Sequence, residues 1–189
     1  ALCLQIILQT KIIVKGKENL IKDEKFFIAC SHQSMFETFY LQTIFNSPIF
    51  ILKHELTKIP IFGWYLKKIG SLSINRNKIS KDNLGLIDKI KNSVKISERP
   101  LIIFPQGTRA LPGEIVPFKK GVGRIYDELK INCQPVAINS GNVWPKNGKL
   151  SLKQTIIISI LPAVKPGMNS TDFTSYIENK IYSELNLMN

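Results

Sequence analysis

Apolar residues along this chain come in short runs separated by longer amphipathic stretches. Runs at "FFIAC" (26–30), "IFILK" (49–53), "SLSIN" (71–75), "LIIFP" (101–105), "PVAIN" (135–139) and "TIIISILP" (155–162) have the length of strands. Several lack polar alternation, the pattern of strands covered on both faces. Between them, residues 34–46, 56–69, 78–97, 120–130 and 170–187 predict helices. In the third of these, Ile79, Leu86, Ile90 and Val94 approximate one apolar stripe. Strands alternating with helices predict an α/β layer structure. No repeat, low-complexity tract or linker divides it, so one domain is expected over 26–189.

The first 25 residues read differently. "ALCLQIILQTKIIVKG" is apolar but interrupted by Gln5, Gln9 and Lys11. It falls short of the roughly 18 to 20 unbroken apolar residues of a membrane span. Residues 1–25 are therefore expected to be an apolar or interfacial segment, the end of a longer membrane-associated region. The chain starts at Ala1, so a longer product is expected upstream.

Composition narrows the classes. With 189 residues, 44% hydrophobic and 21% charged, the chain can bury a sizeable core. The net charge of +12, mostly lysine, fits a nucleic acid, an anionic lipid surface or a phosphorylated substrate, and charge alone does not choose. Cys3, Cys30 and Cys133 are scattered and form no Cys-x-x-Cys pair. That gives no support to a zinc ribbon or thioredoxin site and fits a reducing, cytosolic setting. No metal site is expected.

Three polar clusters fall where strands are expected to end, the usual place for ligands in α/β sheets. "SHQSMFE" holds His32, one of only two histidines, and Glu37. Five residues along a continuous helix separate two side chains by about 140°. The pair can meet only if His32 precedes the helix and Glu37 lies in its first turn. A carboxylate on one imidazole nitrogen would then fix the tautomer and leave the other nitrogen to take a proton. Ser31 and Ser34 are expected helix caps. Taken alone, the cluster reads equally well as a capping loop with a solvated histidine. "GSLSINR" brings Asn75 and Arg76 to a strand exit, where a guanidinium can grip a phosphate in a fork. "FPQGTR" offers Gln106, a backbone approach at Gly107, the Thr108 hydroxyl and Arg109, an anion site without a P-loop.

Together with "QPVAINSG", these blocks resemble, in order and spacing, the glycerolipid acyltransferase family over about residues 26–165. The intervening "LKHELTKIPIFGWYLKKIG" resembles that family's lysine- and proline-bearing region. The resemblance implies a mixed, mostly parallel sheet flanked by helices, like that of glycerol-3-phosphate acyltransferases. It implies a 1-acylglycerol-3-phosphate acyltransferase making phosphatidate from lysophosphatidate and an acyl thioester, on coenzyme A or acyl carrier protein, with no cofactor. His32 would be the general base and Glu37 its orienting partner. Arg76, Gly107, Thr108 and Arg109 would hold the phosphate, with Asn75, Gln106 and Pro135 as secondary substrate or acyl-site residues. Two positions depart from the family pattern: Glu37 stands where aspartate is usual, and Gln106 where glutamate is usual.

A lipid substrate accounts for the basic charge and implies an anionic membrane partner at the cytoplasmic face of the plasma membrane. Trp64 and Tyr65 beside Lys67 and Lys68 suit such an interface, and core packing suits the aromatics too. Two alternatives are a basic nucleic-acid-binding module, for which no recognition motif appears, and a lapsed lipid-binding relative. A serine hydrolase lacks its Gly-x-Ser-x-Gly elbow.

Overall fold

The computed structural model describes residues 2–74, 82–146 and 148–188. In chain order its elements are α1 (Leu2–Ile7), β1 (Lys11–Lys15), β2 (Phe26–Cys30), α2 (Phe36–Ile44), β3 (Ile49–Lys53), α3 (Phe62–Lys68), β4 (Leu72–Ile74), α4 (Asp82–Ile96), β5 (Leu101–Ile103), α5 (Gly121–Leu129), β6 (Asn132–Ile138), β7 (Thr155–Ile160) and α6 (Ser170–Asn186). Short 3-10 turns occupy Lys17–Asn19, His54–Lys58 and Ser140–Asn142.

Among the described residues, seven strands form one sheet in the order β1-β7-β6-β2-β5-β3-β4. The five strands from β6 to β4 run parallel; β7 is antiparallel to β6, and β1 is parallel to β7. The expected mixed, mostly parallel α/β sheet is the observed one.

Burial explains the unbroken apolar runs. Phe27 and Ala29 of β2 face one core with α4, α5 and α6, while Ile28 and Cys30 face a second with Phe36 and Leu41 of α2. β5 divides likewise, Leu101 and Ile103 against Ile102. A strand buried on both faces has no place for polar alternation. α6 follows helical spacing instead, with Phe173, Ile177, Ile181 and Leu185 in the first core. Its N-cap is Asn169, whose Oδ1 accepts from the N–H of Thr171 (3.1 Å) and Asp172 (2.9 Å).

Two expectations need revision. The 1–25 segment is not wholly apart from the domain: Lys11–Lys15 pairs residue for residue with Thr155–Ser159 as an edge strand. The helix expected over 56–69 is divided, because Pro60 follows the 3-10 turn and α3 begins only at Phe62. α3 then ends in a Schellman motif, with Gly70 at φ 72°, Ser71 N donating to Leu66 O (3.1 Å) and Gly70 N to Lys67 O (3.0 Å). Asn75, Arg76 and Ile79 lie outside the described residues. No helix among the described residues is long and apolar enough to cross a membrane.

α5 and α6 pack at a distance that only glycine permits. A Cβ on Gly123 would stand 2.1 Å from the Ser170 carbonyl oxygen and 2.3 Å from Thr174 Oγ1. Overpacking there should outweigh the helix propensity of alanine. Gly123→Ala is expected to destabilise the fold by about 2 kcal/mol, seen as a thermal midpoint lowered by roughly 4–8 °C in circular dichroism.

Candidate active site

Because β2, β5 and β3 are adjacent and parallel, their C-terminal ends open on one edge of the sheet. A cleft of about 500 Å³ lies there. His32 comes to it from the end of β2, Gly107, Thr108 and Arg109 from beyond β5, and Lys53 from the end of β3. β4 is parallel to β3 and ends at the same edge.

His32 Nδ1 lies 3.2 Å from Glu37 Oε2. The chain achieves this as the spacing requires: His32 lies in the loop before α2, and Glu37 in that helix's first turn. Glu37 is fully buried. Its Oε1 accepts from the N–H of Gln33 (3.1 Å) and Ser34 (3.0 Å) and from the Ser140 hydroxyl, and its Oε2 also from Ser34 N (3.0 Å). A buried carboxylate is tolerated only when so engaged. The added methylene of glutamate spans the distance from the helix back over the 33–34 loop. The 33–34 loop is folded around the carboxylate of this longer side chain.

The ring of His32 stacks on Phe104, with centroids 4.1 Å apart and planes at 18°. Nδ1 is committed to Glu37, so Nε2 is the nitrogen left for a ligand, and among the described residues it has no partner. Its backbone is clamped as well: His32 N donates to Gln106 Oε1 (2.7 Å), and Ala110 N donates to His32 O (2.8 Å).

That contact revises the role expected for Gln106. Only 1% exposed, it lies beneath the histidine and not against the cleft. Its Nε2 donates to Tyr182 Oη (3.3 Å), which also accepts from Val116 N (2.8 Å) and donates its own proton to Val116 O (2.7 Å). The tyrosine hydroxyl thus has no proton left to give, so a side chain with one acceptor and one donor fits here. A glutamate would have no proton for Tyr182.

Gly107 has φ 69°, a left-handed conformation that glycine adopts without strain, and its N–H closes a turn onto Phe104 O at 3.0 Å. Thr108 and Arg109 follow on the cleft wall. Lys146, which the sequence did not single out, reaches the same wall, with Nζ 3.4 Å from Thr108 Oγ1. It lies in the long connection between β6 and β7, where no local pattern marks it. Phe50, Leu52, Leu56, Phe62, Leu66 and Phe104 line the rest, so the cleft is basic at one wall and apolar at the other.

Pro135 does not line the cleft. It is buried in β6 opposite Ala29. Leu161 N donates to Pro135 O (3.0 Å), but proline has no N–H for the return bond of an antiparallel pair. Gln134 Nε2 takes the Leu161 carbonyl instead, while its Oε1 accepts from Ile21 N (3.1 Å). Ser31 and Ser34 also separate: Ser34 Oγ accepts from Phe36 N at the start of α2 (3.1 Å), whereas Ser31 Oγ bridges to Ile138 N (2.9 Å) in β6. Cys30 and Cys133 are buried thiols, and desolvation pushes both up from the usual range, helped at Cys30 by the charge of Glu37. Neither is a candidate nucleophile. Among the described residues, no three His, Cys, Asp or Glu side chains converge on a point.

A histidine held by a buried carboxylate, beside a basic wall and an apolar one, is equipped to deprotonate a bound hydroxyl on an amphiphile. Comparison with known proteins agrees in class: residues 11–139 match the acyltransferase family, and the chain belongs to it. Among its relatives, the 1-acyl-sn-glycerol-3-phosphate acyltransferase of Pseudomonas aeruginosa is 33% identical over 153 residues, covering 80% of this chain and 58% of that protein. The Saccharomyces cerevisiae protein of the same name is 28% identical over 187 residues, covering 96% of this chain and 61% of its own length. The chain thus spans less than two thirds of either relative. The crystal structure of the 1-acyl-sn-glycerophosphate acyltransferase from Thermotoga maritima superposes with a TM-score of 0.78 at 25% identity, covering 96% of this chain and 73% of that one.

Proposed function

We propose that the chain transfers a fatty acyl group from an acyl thioester, on coenzyme A or acyl carrier protein, to the sn-2 hydroxyl of 1-acyl-sn-glycerol 3-phosphate. The observation that carries this reading is the His32–Glu37 pair (3.2 Å) in a cleft with cations on one wall and apolar side chains on the other. Arg109, Lys146 and the Thr108 hydroxyl offer the groups an anionic headgroup requires. Phe50, Leu52, Leu56, Phe62 and Leu66 offer a wall for an acyl chain. In the proposed step His32 Nε2 takes the proton of the acceptor hydroxyl as its oxygen attacks the thioester carbonyl. Glu37 balances the imidazolium. Collapse of the tetrahedral adduct breaks the C–S bond, and the departing sulfur takes the proton back, giving phosphatidate and free thiol. The scheme uses no cofactor beyond the thioester co-substrate. An anionic membrane, at the cytoplasmic face of the plasma membrane, is the proposed source of the lipid.

The test is thiol release from an acyl thioester with lysophosphatidate as acceptor. Turnover is expected, and Lys146→Ala should raise KM for lysophosphatidate roughly tenfold, with kcat and the thioester KM little changed. No turnover with any glycerol-phosphate acceptor would instead make the chain a lapsed lipid-binding relative.

A further inference from the structure

α3 and the turn before it carry apolar side chains on both sides. Gly63 and Leu66 face inward and are buried. On the outside, Ile61 is 84% exposed, Trp64 66% and Ile59 46%. These are not scattered surface residues: Trp64 and Lys68 are four apart on one outward face of α3, and Ile59 and Ile61 lie in the turn that leads into it. Lys68 Nζ lies over the Trp64 ring at 5.0 Å.

The backbone supports this display at a cost. Ile61 has φ 63° and ψ −55°, and Phe62 N donates to Pro60 O across it at 2.6 Å. This is the rare, strained form of the three-residue γ-turn, at a β-branched residue that avoids positive φ. Gly63 makes the turn possible, since a Cβ there would lie 2.1 Å from the Thr57 carbonyl oxygen. Strain that places an isoleucine at the tip of a turn gains nothing in water. It has a use if the tip enters an apolar medium.

The charges around it indicate the medium. Residues 53–68 hold Lys53, Lys58, Lys67 and Lys68 against one carboxylate, Glu55, which pairs with Lys53 at 3.2 Å. That leaves Lys58, Lys67 and Lys68, all exposed, beside the apolar tip. An apolar centre with a cationic rim complements a bilayer with anionic headgroups. A nucleic acid would use the lysines and leave Ile59 and Ile61 in water. The same turn also forms cleft wall, since Leu56, Phe62 and Leu66 line the cleft from its inner side.

We infer that Ile59, Ile61 and Trp64, rimmed by Lys58, Lys67 and Lys68, are the face by which the domain seats on an anionic lipid bilayer, with the apolar wall of the cleft directly behind it. The need for a lipid at that wall rests on the function proposed above, but the docking face is tested apart from it. The full chain is sedimented with vesicles of phosphatidylglycerol and phosphatidylcholine, and with phosphatidylcholine alone. It should bind the anionic vesicles, more weakly as salt rises. Ile61→Ser/Trp64→Ser should weaken that binding at least tenfold, and Lys67→Gln and Lys68→Gln about fivefold each. The thermal midpoint and turnover of a monomeric short-chain lysophosphatidate should not change, while turnover of vesicle-borne substrate should fall. In Trp144→Phe, the remaining Trp64 emission should shift to the blue on anionic vesicles, a readout that needs no change at the face itself. Binding by the double serine variant as tight as the parent's would overturn the inference, as would binding lost only in Ile6→Ser/Ile7→Ser or a Trp64 emission unmoved on binding. A parent chain that binds vesicles but turns over no acceptor would sink the proposed reaction and leave the docking face standing.

Discussion

His32→Ala is expected to lower kcat for acyl transfer by about three orders of magnitude, near the middle of the range for a positioned general base. The ring is the one group in the cleft that combines a carboxylate-anchored nitrogen with a second nitrogen among the described residues left unpartnered. Its orientation is fixed from three directions: Glu37 at Nδ1, Phe104 beneath the ring plane, and Gln106 and Ala110 at the backbone. The alanine variant leaves the last of these in place, along with the Gly107–Arg109 wall and Lys146. KM for lysophosphatidate should therefore change little, and the loss should appear in kcat. Thiol release measured under saturating acceptor decides it. Activity persisting at the parent rate would remove His32 from the reaction.

What the sequence could and could not disclose follows from the range of the interactions involved. The two-sided burial of β2 and β5 was legible because each strand carries its own record of it in an unbroken apolar run. The convergence of "SHQS" and "QGTR" was legible because strands joined through helices run parallel and so end at one edge. β1 was not, since "KIIVK" looks like any short apolar stretch until Thr155–Ser159 pairs with it from the far end of the chain. Strand order was equally hidden. It is the adjacency of β2 and β5 that slides Gln106 under the backbone of His32 and gives it a positioning contact where a substrate contact was expected. Lys146 enters the site through its 3.4 Å contact with Thr108, a meeting of two loops that no local pattern marks. For Pro135 the resemblance identified a real landmark and the structure gives it a different office, the point where β6 exchanges a backbone donor for the side chain of Gln134.

Glu37→Gln tests the part of the site where this chain departs from its family's pattern, and the expected loss in kcat is two to four orders of magnitude, by analogy with the loss when a triad carboxylate becomes an amide. The reason lies in the polarity of the surroundings. Every group that meets the carboxylate is a donor: Gln33 N and Ser34 N from the backbone, the Ser140 hydroxyl, and His32 Nδ1. An amide oxygen can replace Oε1 and keep the first three. Its NH2 must then take the place of Oε2, where it faces Nδ1 and can only donate. The imidazole would have to present an acceptor at Nδ1, which moves its proton to Nε2 and blocks the nitrogen that is to take the substrate's proton. Glu37→Asp separates this effect from reach. It keeps the charge and the tautomer but draws the carboxylate back by about 1.5 Å, the length of one C–C bond, from a loop folded to the longer side chain. A loss of roughly tenfold is expected there, from poorer alignment alone. The ordering parent, aspartate, glutamine is therefore the expected result for kcat in the thiol-release assay, with KM for both substrates nearly constant. A glutamine variant as active as the aspartate one would mean that the carboxylate holds the 33–34 loop in place and does not set the state of the base.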